Sequence, residues 1–179
     1  MIPTQKILIV LLSYNPETGG LTWKERDRCW FSSERYWRAW NKRFAGRPAL
    51  NTIDPRGYKV GRILGKGVRT HRVIWKLIHG YDPIEIDHED GVRSNNHLIN
   101  LRDVASKEND KNRAMPDSNK SGTVGVRFNR ARGKWIAVIG VDYTNRHLGC
   151  FDNIADAINA RRSAERDFNF HPNHGRAKP

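Results

Sequence analysis

The sequence predicts an α+β fold in which short antiparallel strands alternate with short helices. Aromatic residues at positions 36, 37, 40 and 44 recur with helical spacing, and so do the apolar residues of the segment 70–80. Clusters of Gly, Pro, Asp and Asn separate short runs of strand-forming residues along the chain. The apolar run from Ile7 to Leu12 has six residues, far fewer than the ~20 that a membrane span needs.

Residues 1–69 are predicted to form a basic β/α region. The pattern predicts the buried face of a helix at 7–12, followed by a turn and a strand at 14–23. A second helix is predicted at 33–44 and a hairpin at 54–67. Pro and Gly at the turns bound each of these elements.

A central region is predicted over residues 70–114. Its first element is a helix with Thr70 as N-cap and Gly80 as stop. Beyond it the pattern predicts a strand at 85–88, a loop at 89–100 and a second strand at 101–105. A helix is predicted from Ser106 onward. Ser106 is a natural N-cap, which places Asn109 in the first turn of that last helix.

The remaining residues are predicted to form a linker (115–122), a small domain (123–170) and a loose tail (171–179). Three short strands are expected in the small domain, roughly at 125–129, 134–141 and 146–151. A helix over 154–168 follows and gathers Ala157, Ala160, Arg161 and Ala164 on one face.

Charge divides the chain into three parts. The net charge is +13 and the isoelectric point is near 10.2, which indicates a polyanionic partner. Residues 1–80 carry a balance of +11, residues 81–120 carry −3, and residues 121–179 carry +5. This layout is expected if the flanks bind phosphates and the middle binds a cation. Nucleic acid is favoured as the partner, and a membrane surface is not expected.

The two cysteines, Cys29 and Cys150, are far apart and form no CxxC motif. We therefore expect two buried, reduced thiols and no structural zinc.

The acidic segment surrounds a histidine, because His88 lies between Asp87, Glu89 and Asp90. Neighbouring carboxylates raise the pKa of a histidine, which would leave it protonated and unable to act as a base. A divalent cation at Asp87 would reverse that effect. Asp and Asn oxygens suit Mg²⁺ or Mn²⁺, and strand alternation directs Asp87 and His88 to opposite sides. The other interpretation is a set of turns with solvated charges, since the spacing alone is no signature.

The central region resembles the HNH endonucleases of the phage homing type, in their His-Asn-Asn form. The matching elements are Thr70–Trp75, Ile86–His88, Asp90–Gly91, Asn96, Leu98, Asn100–Arg102 and Ser106–Asn109. The resemblance implies a ββα-metal motif in which His88 is the general base and Asn100 orients that base or the DNA strand. It also implies that Asp87 and Asn109 hold one Mg²⁺ or Mn²⁺ ion.

Three further residues near this motif have two interpretations each. His71 could face DNA or the site, or it could cap and pack the helix. Arg93 and Arg102 are candidate phosphate contacts, or ordinary solvated charges. Residues ahead of the motif also resemble the amino-terminal part of such proteins, notably at 15–19, 21–23, 45–46 and 57–58.

Residues 121–164 resemble the AP2 DNA-binding domain, a three-stranded antiparallel sheet backed by one helix. The resemblance implies that Arg127, Lys134 and Trp135 contact DNA in the major groove, and more loosely Arg130 and Arg146. A sheet of this size fits that groove. The alternative is that Trp135 packs against the helix and the arginines are surface charges.

The prediction is therefore a metal-dependent endonuclease that nicks double-stranded DNA at a recognised site as a monomer, in the host cytoplasm if a phage encodes it. The basic region 1–69 and the AP2-like domain are expected to contact the DNA. The rival from another class is a DNA-binding regulator whose nuclease site is vestigial. A binder of structured RNA is the second rival, because composition alone allows it.

Overall fold

A computed structural model describes residues 1–104 and 111–177 of the chain. It divides into two compact units, Met1–Val104 and Ala105–Pro179. Its helices and strands are mixed, and the strands form several small antiparallel sheets. Among the described residues, no helix combines the length and apolar character that crossing a membrane requires.

The first unit begins with a helix and a small sheet that share one core. Helix α1 (Gln5–Leu11) runs directly into strand β1, and the sheet order is β1–β2–β3. The strands are Leu12–Asn15 (β1), Gly20–Trp23 (β2) and Pro48–Ala49 (β3). Leu8 and Leu11 of α1 are fully buried, so the predicted apolar run contains the buried face of a first helix. Ile9 and Val10 of the same run are exposed, and Leu12 begins β1.

Helix α2 (Glu34–Phe44) lies between β2 and β3 in the chain, and none of its residues is buried. The Ser33 hydroxyl caps it by accepting a hydrogen bond from the Tyr36 backbone N–H. The helical spacing of its aromatic residues therefore predicted the element correctly.

A second sheet and helix α3 (Thr70–His79) complete this core. The sheet order is β4–β5–β6, with strands Thr52–Ile53 (β4), Lys59–Ile63 (β5) and Lys66–Arg69 (β6). Gly80 ends α3 with φ +87°, a backbone conformation that favours glycine. The predicted N-cap was wrong: Thr70 is the first helical residue, and its hydroxyl donates to the Leu50 carbonyl instead.

The second unit contains a three-stranded antiparallel sheet with one helix packed on it. The sheet order is β11–β10–β9, and the strands are Val126–Asn129 (β9), Lys134–Val141 (β10) and Thr144–Phe151 (β11). Helix α4 (Ile154–Asp167) buries Ala157, Arg161 and Ala164, three of the four residues predicted to share its inner face.

The carboxy-terminal segment differs from the loose tail that its composition predicts. Backbone N–H groups of His171 and Gly175 donate to the carbonyls of Lys111 and Arg113, and Met115 donates to Arg176. These bonds pair the segment with the residues that precede the sheet, so residues 171–177 are an ordered part of the second unit.

The prediction of two buried thiols was wrong. Cys29 and Cys150 are both exposed, free cysteines. Cys29 lies in a single 3-10 turn on the surface, and Cys150 projects from β11 opposite Ile136. The high average burial of cysteine gave no information about these two local positions.

Candidate active site

The centre of the candidate site is a pair of short strands, Ile86–His88 (β7) and Leu101–Asp103 (β8). Asp87 pairs with Arg102 and His88 pairs with Leu101 in the antiparallel register. Asp87 and His88 are 7% and 4% exposed, although polar side chains on so small a sheet are usually solvated. Because consecutive strand residues point to opposite sides, the carboxylate and the imidazole lie in different surroundings.

On one side, Asp87 forms an ion pair with the predicted phosphate contact, Arg102. The Arg102 Nη2 and Asp87 Oδ2 atoms are 2.5 Å apart. The Asp87 side chain is 8% exposed, so the pair is shielded from much of the solvent that weakens surface ion pairs.

On the other side, His88 is held by Asn96. The His88 Nε2 and Asn96 Oδ1 atoms are 3.1 Å apart, and Asn96 is 1% exposed. Since an amide oxygen can only accept, Nε2 carries the ring proton and Nδ1 is the basic nitrogen of the neutral ring. The position of Asn96 therefore selects the tautomer in which Nδ1 can accept a proton.

Two other rings enclose His88. The His71 ring lies edge-on to it, with centroids 5.1 Å apart, and the Tyr58 ring is 5.9 Å away. His71 is buried at 2% exposure. His71 therefore lies in the site, with its ring against that of His88, and a role for it there stays a prediction.

Burial sets the protonation of both histidines. It is the largest influence on the pKa of His88 and lowers it, against the opposing effects of Asn96, Asp90 and Asp87. The neighbouring carboxylates do raise this pKa, as expected, but the expected protonated ring was wrong, because desolvation outweighs them. Burial, together with His88 and Arg69, lowers the pKa of His71 to about 3. Both rings are therefore neutral near pH 7.

The segment that carries Asn96 is fixed by the amino-terminal hairpin. The Tyr14 hydroxyl donates to the Asn96 carbonyl at 3.1 Å and accepts from the Leu98 N–H at 2.9 Å. Gly19, at φ +63°, lies so close that a Cβ there would be 2.6 Å from the His97 nitrogen. Sequence reasoning named Asn96 as part of a motif but gave it no role, and the hairpin contacts carried no local signal.

Asn100 organises the loop between the two strands. Its Oδ1 accepts from the Asp90 N–H at 2.9 Å, and its Nδ2 donates to the Asp90 carboxylate and to the Asn95 carbonyl. Burial raises the pKa of Asp90, but bonds from Asn95, Val92 and Asn100 outweigh it, so the net shift is downward. Asn100 thus shapes the loop that carries Asn96, while Asn96 contacts the His88 ring directly.

Arg93 lies close to the same ring cluster. Its guanidinium carbon is 5.1 Å from the Tyr58 ring centroid, and its Nη1 donates to the Arg56 carbonyl. Arg69 approaches the same ring at 4.7 Å. The guanidinium groups of Arg69 and Arg93 therefore both lie beside the Tyr58 ring, close to His88, where they can bind a phosphate.

The donor atoms of the site suit a hard cation. Asp87 supplies a carboxylate, and Mg²⁺ or Mn²⁺ commonly takes one or two carboxylates and keeps several waters. Within residues 1–104 and 111–177, no three His, Cys, Asp or Glu side chains cluster as a metal site. The other predicted ligand, Asn109, lies outside the described residues.

The predicted DNA contacts of the second unit fall on two faces of its sheet. Arg127 pairs across from Ile136, and Lys134 from Asn129, which puts these two cations on the same face. Arg130 is exposed in the turn that follows β9. Lys134 also pairs with Asp152, with Nζ and Oδ1 2.5 Å apart.

Trp135 and Arg146 lie on the side of the helix. Trp135 contacts the Phe128 ring at 5.2 Å and packs with the apolar cluster that includes Ala157 of α4. The Arg146 guanidinium carbon lies 4.9 Å from the Phe168 ring. The structure thus supports the interpretation in which Trp135 packs against the helix.

Comparison with known proteins identifies a family for the part of the chain that carries this site. The family pattern described as HNH endonuclease matches residues 68–111, which contain β7, β8, His71 and Asn96. The chain therefore carries an HNH endonuclease domain. Protein 3.8 of Escherichia phage T7 is 32% identical over 108 residues, covering 58% of this chain and 89% of that protein. The chain belongs to the family of this phage protein. No solved structure matches it.

Proposed function

We propose that the chain is a divalent-metal-dependent DNA endonuclease of the homing type that nicks one strand of a duplex as a monomer. The observation that carries this proposal is the buried His88, neutral and held by Asn96, one residue from the buried carboxylate of Asp87. Buried polar groups cost folding free energy, so their concentration on one strand pair indicates that they serve chemistry. The HNH endonuclease match supports DNA as the substrate.

In the proposed reaction, His88 Nδ1 removes a proton from a water molecule, and the water oxygen forms a bond to phosphorus. The bond from phosphorus to the 3′ oxygen breaks, and that oxygen takes a proton from solvent. The products are a 5′-phosphate and a 3′-hydroxyl. Asn96 Oδ1 accepts a hydrogen bond from Nε2–H, which leaves Nδ1 as the basic nitrogen of the ring. His71 and Tyr58 exclude water from the other sides of the ring.

Asp87 and Asn109 would hold the divalent ion, Mg²⁺ or Mn²⁺. When bound, the ion would supply positive charge for the phosphate and the departing 3′ oxygen. Arg102 keeps the Asp87 carboxylate oriented, and Arg93 stands where it can bind a phosphate oxygen beside Tyr58.

We further propose that the second unit resembles an AP2 domain in function and binds the duplex. Arg127, Arg130 and Lys134 are its strongest candidate contacts, because they are accessible and Arg127 shares a sheet face with Lys134. Trp135 and Arg146 are weaker candidates because they lie against the helix side.

One observation favours the alternative, a DNA-binding regulator with a vestigial site. The guanidinium of Arg102 already neutralises Asp87, which is the charge that a catalytic cation would use. Binding of the cation therefore has to share or displace that ion pair.

A supercoiled plasmid assay separates these functions. The protein is incubated with target DNA and Mg²⁺ or Mn²⁺, with EDTA, and as the variant His88→Ala. We expect nicking with metal, none with EDTA, and a loss of about 10²–10⁴-fold in rate for the variant. Cutting by His88→Ala at the unsubstituted rate would contradict the mechanism. Tight duplex binding without nicking would favour the regulator.

A further inference from the structure

The outward side of α2 presents a row of cations, of which Arg38 alone pairs with an acid among the described residues. Arg35, Arg38, Ala39 and Lys42 recur with the i, i+3, i+4, i+7 spacing of one helical face, and all four are exposed. Arg43 flanks this row. The acid in the helix is Glu34, which pairs with Arg38. We call the surface formed by Arg35, Arg38, Ala39, Lys42 and Arg43 the α2 basic face.

Helix stability does not account for all of these charges. Lys42 and Arg43 lie in the last turn, where cations favour the negative end of the helix dipole. Arg35 lies in the first turn, where a positive charge opposes the dipole and lowers helix stability. A cation at such an unfavourable position is explained if an external anion binds there.

The inner side of α2 is fixed rigidly even though no residue of the helix is buried. The Arg26 carbonyl accepts hydrogen bonds from Trp37 Nε1 at 2.7 Å and Asn41 Nδ2 at 2.9 Å. The Arg26 N–H donates back to Asn41 Oδ1 at 3.0 Å. The Arg26 guanidinium stacks on Trp40 at 3.8 Å, and Trp40 in turn meets Trp23 edge-on at 5.7 Å.

This arrangement holds a helix in a set orientation with its charged side in solvent. A helix held in this way loses little conformational entropy when a partner binds it. Ala39 has a small side chain in the middle of the α2 basic face, so a large ligand can approach the helix backbone between the cations.

We infer that α2 is a docking helix for the phosphate backbone of duplex DNA. Its 11 residues span about 16 Å, and Arg35 and Lys42 are separated by about 10 Å along its axis. The major groove is about 12 Å wide and admits a helix, with phosphates along both of its edges. The outward face of α2 can therefore enter the groove, where its cations contact the phosphates along the groove edges.

This docking role rests on the proposed function, because it assumes that DNA is the substrate. The test therefore measures binding with EDTA present, where cleavage does not contribute. A fluorescent 30-base-pair duplex is titrated with the full chain and with a triple variant, Arg35→Gln, Lys42→Gln, Arg43→Gln. Arg38 is left in place so that its pair with Glu34 remains.

The matched control removes the same charge elsewhere: Lys6→Gln, Arg162→Gln, Arg166→Gln, which are exposed on α1 and α4. We expect the α2 variant to bind at least tenfold more weakly at 0.15 M salt. The slope of log K against log salt should decrease by about 3, near 0.9 per lost phosphate contact. The control should change both values far less. Circular dichroism checks that α2 remains helical.

Equal losses in the two triple variants would overturn the inference, because a general charge effect would then explain the binding. Normal binding by the α2 variant would also overturn it and leave the proposed nuclease intact. Absence of duplex binding by the unsubstituted chain would overturn both. Preferential binding of single-stranded RNA through α2 would show that the partner is wrong.

Discussion

The strand pair β7–β8 and the sheet β9–β10–β11 are both antiparallel, yet they place polar side chains in opposite environments. The short pair buries Asp87 and His88. The larger sheet buries Ile136, Ala137, Ile139 and Val141 and exposes its polar residues. Burial of apolar groups stabilises a fold, and burial of polar groups costs free energy unless they are paired. The larger sheet therefore stabilises the fold, whereas the short pair costs folding free energy because it buries the polar groups of the candidate site.

The two units contain ion pairs with the same separation of 2.5 Å but different exposure. Arg102–Asp87 in the first unit has side chains 33% and 8% exposed, and Lys134–Asp152 in the second has 42% and 84%. We expect Arg102→Leu to lower the free energy of unfolding by about 3 kcal/mol, because it removes the cation that pairs with a buried carboxylate. Lys134→Leu should cost less than about 1 kcal/mol.

Urea unfolding of each variant at pH 7 measures this difference. The double variant Arg102→Leu, Asp87→Leu should recover most of the loss, since no buried charge then remains. Equal losses for Arg102→Leu and Lys134→Leu would show that burial does not distinguish the two pairs.

A buried and an exposed asparagine allow the effect of burial on activity to be compared in the same way. Asn96 is buried and accepts from His88, whereas Asn145 is exposed on β11. We expect Asn96→Leu to lower kcat by about tenfold to a hundredfold, with KM nearly unchanged, because the His88 ring, the proposed general base, loses its orientation. Asn145→Leu should leave kcat within a factor of two, about 0.4 kcal/mol.

Steady-state nicking rates give both constants. Asn96→Asp keeps an acceptor oxygen and should retain more of kcat than Asn96→Leu. An increase in KM alone for Asn96→Leu would mean that Asn96 acts in DNA binding and not on His88.

The smallest expected effect concerns acid stability. Burial lowers the pKa of His71 to about 3, whereas an unfolded histidine titrates near 6.5. Below pH 6.5 the unfolded chain therefore binds a proton that the folded chain does not, and stability falls as the pH falls toward 3. This histidine alone contributes a loss of up to about 1.4 kcal/mol per pH unit.

The measurement is the free energy of unfolding by urea at pH 7, 6 and 5. His71→Phe keeps a ring and removes the titrating group, so its stability should depend less on pH over this range. His147→Phe, at an exposed position of β11, is the control and should keep the original dependence. Identical pH dependence in His71→Phe and the unsubstituted chain would contradict the buried neutral state.

Local signals predicted the elements well. The spacing of aromatic residues gave α2, and the three strands and the helix of the second unit lie close to their predicted bounds. The strand residues Asp87 and His88 were also identified correctly as neighbours on one short strand. These features depend on periodicity and turn chemistry, which a single sequence contains.

The features that were missed depend on three-dimensional burial. The pKa of His88 was expected to rise because its sequence neighbours are acidic, whereas the folded chain desolvates the ring. Asn96 received no role because its contact with His88 is fixed by Tyr14, 82 residues away. Cys29 and Cys150 were placed in the core from average behaviour, and their local positions decided otherwise.

The hairpin contact has a consequence for how far this motif can be moved between proteins. The family pattern covers residues 68–111, but the segment that carries Asn96 is fastened by Tyr14 and fits against Gly19. A fragment limited to residues 68–111 would contain every catalytic candidate. It would lack the Tyr14 hydroxyl and Gly19, which hold the segment that carries Asn96 in position. The HNH motif of this chain is therefore not structurally independent, and its transfer to another protein has to include the β1–β2 hairpin.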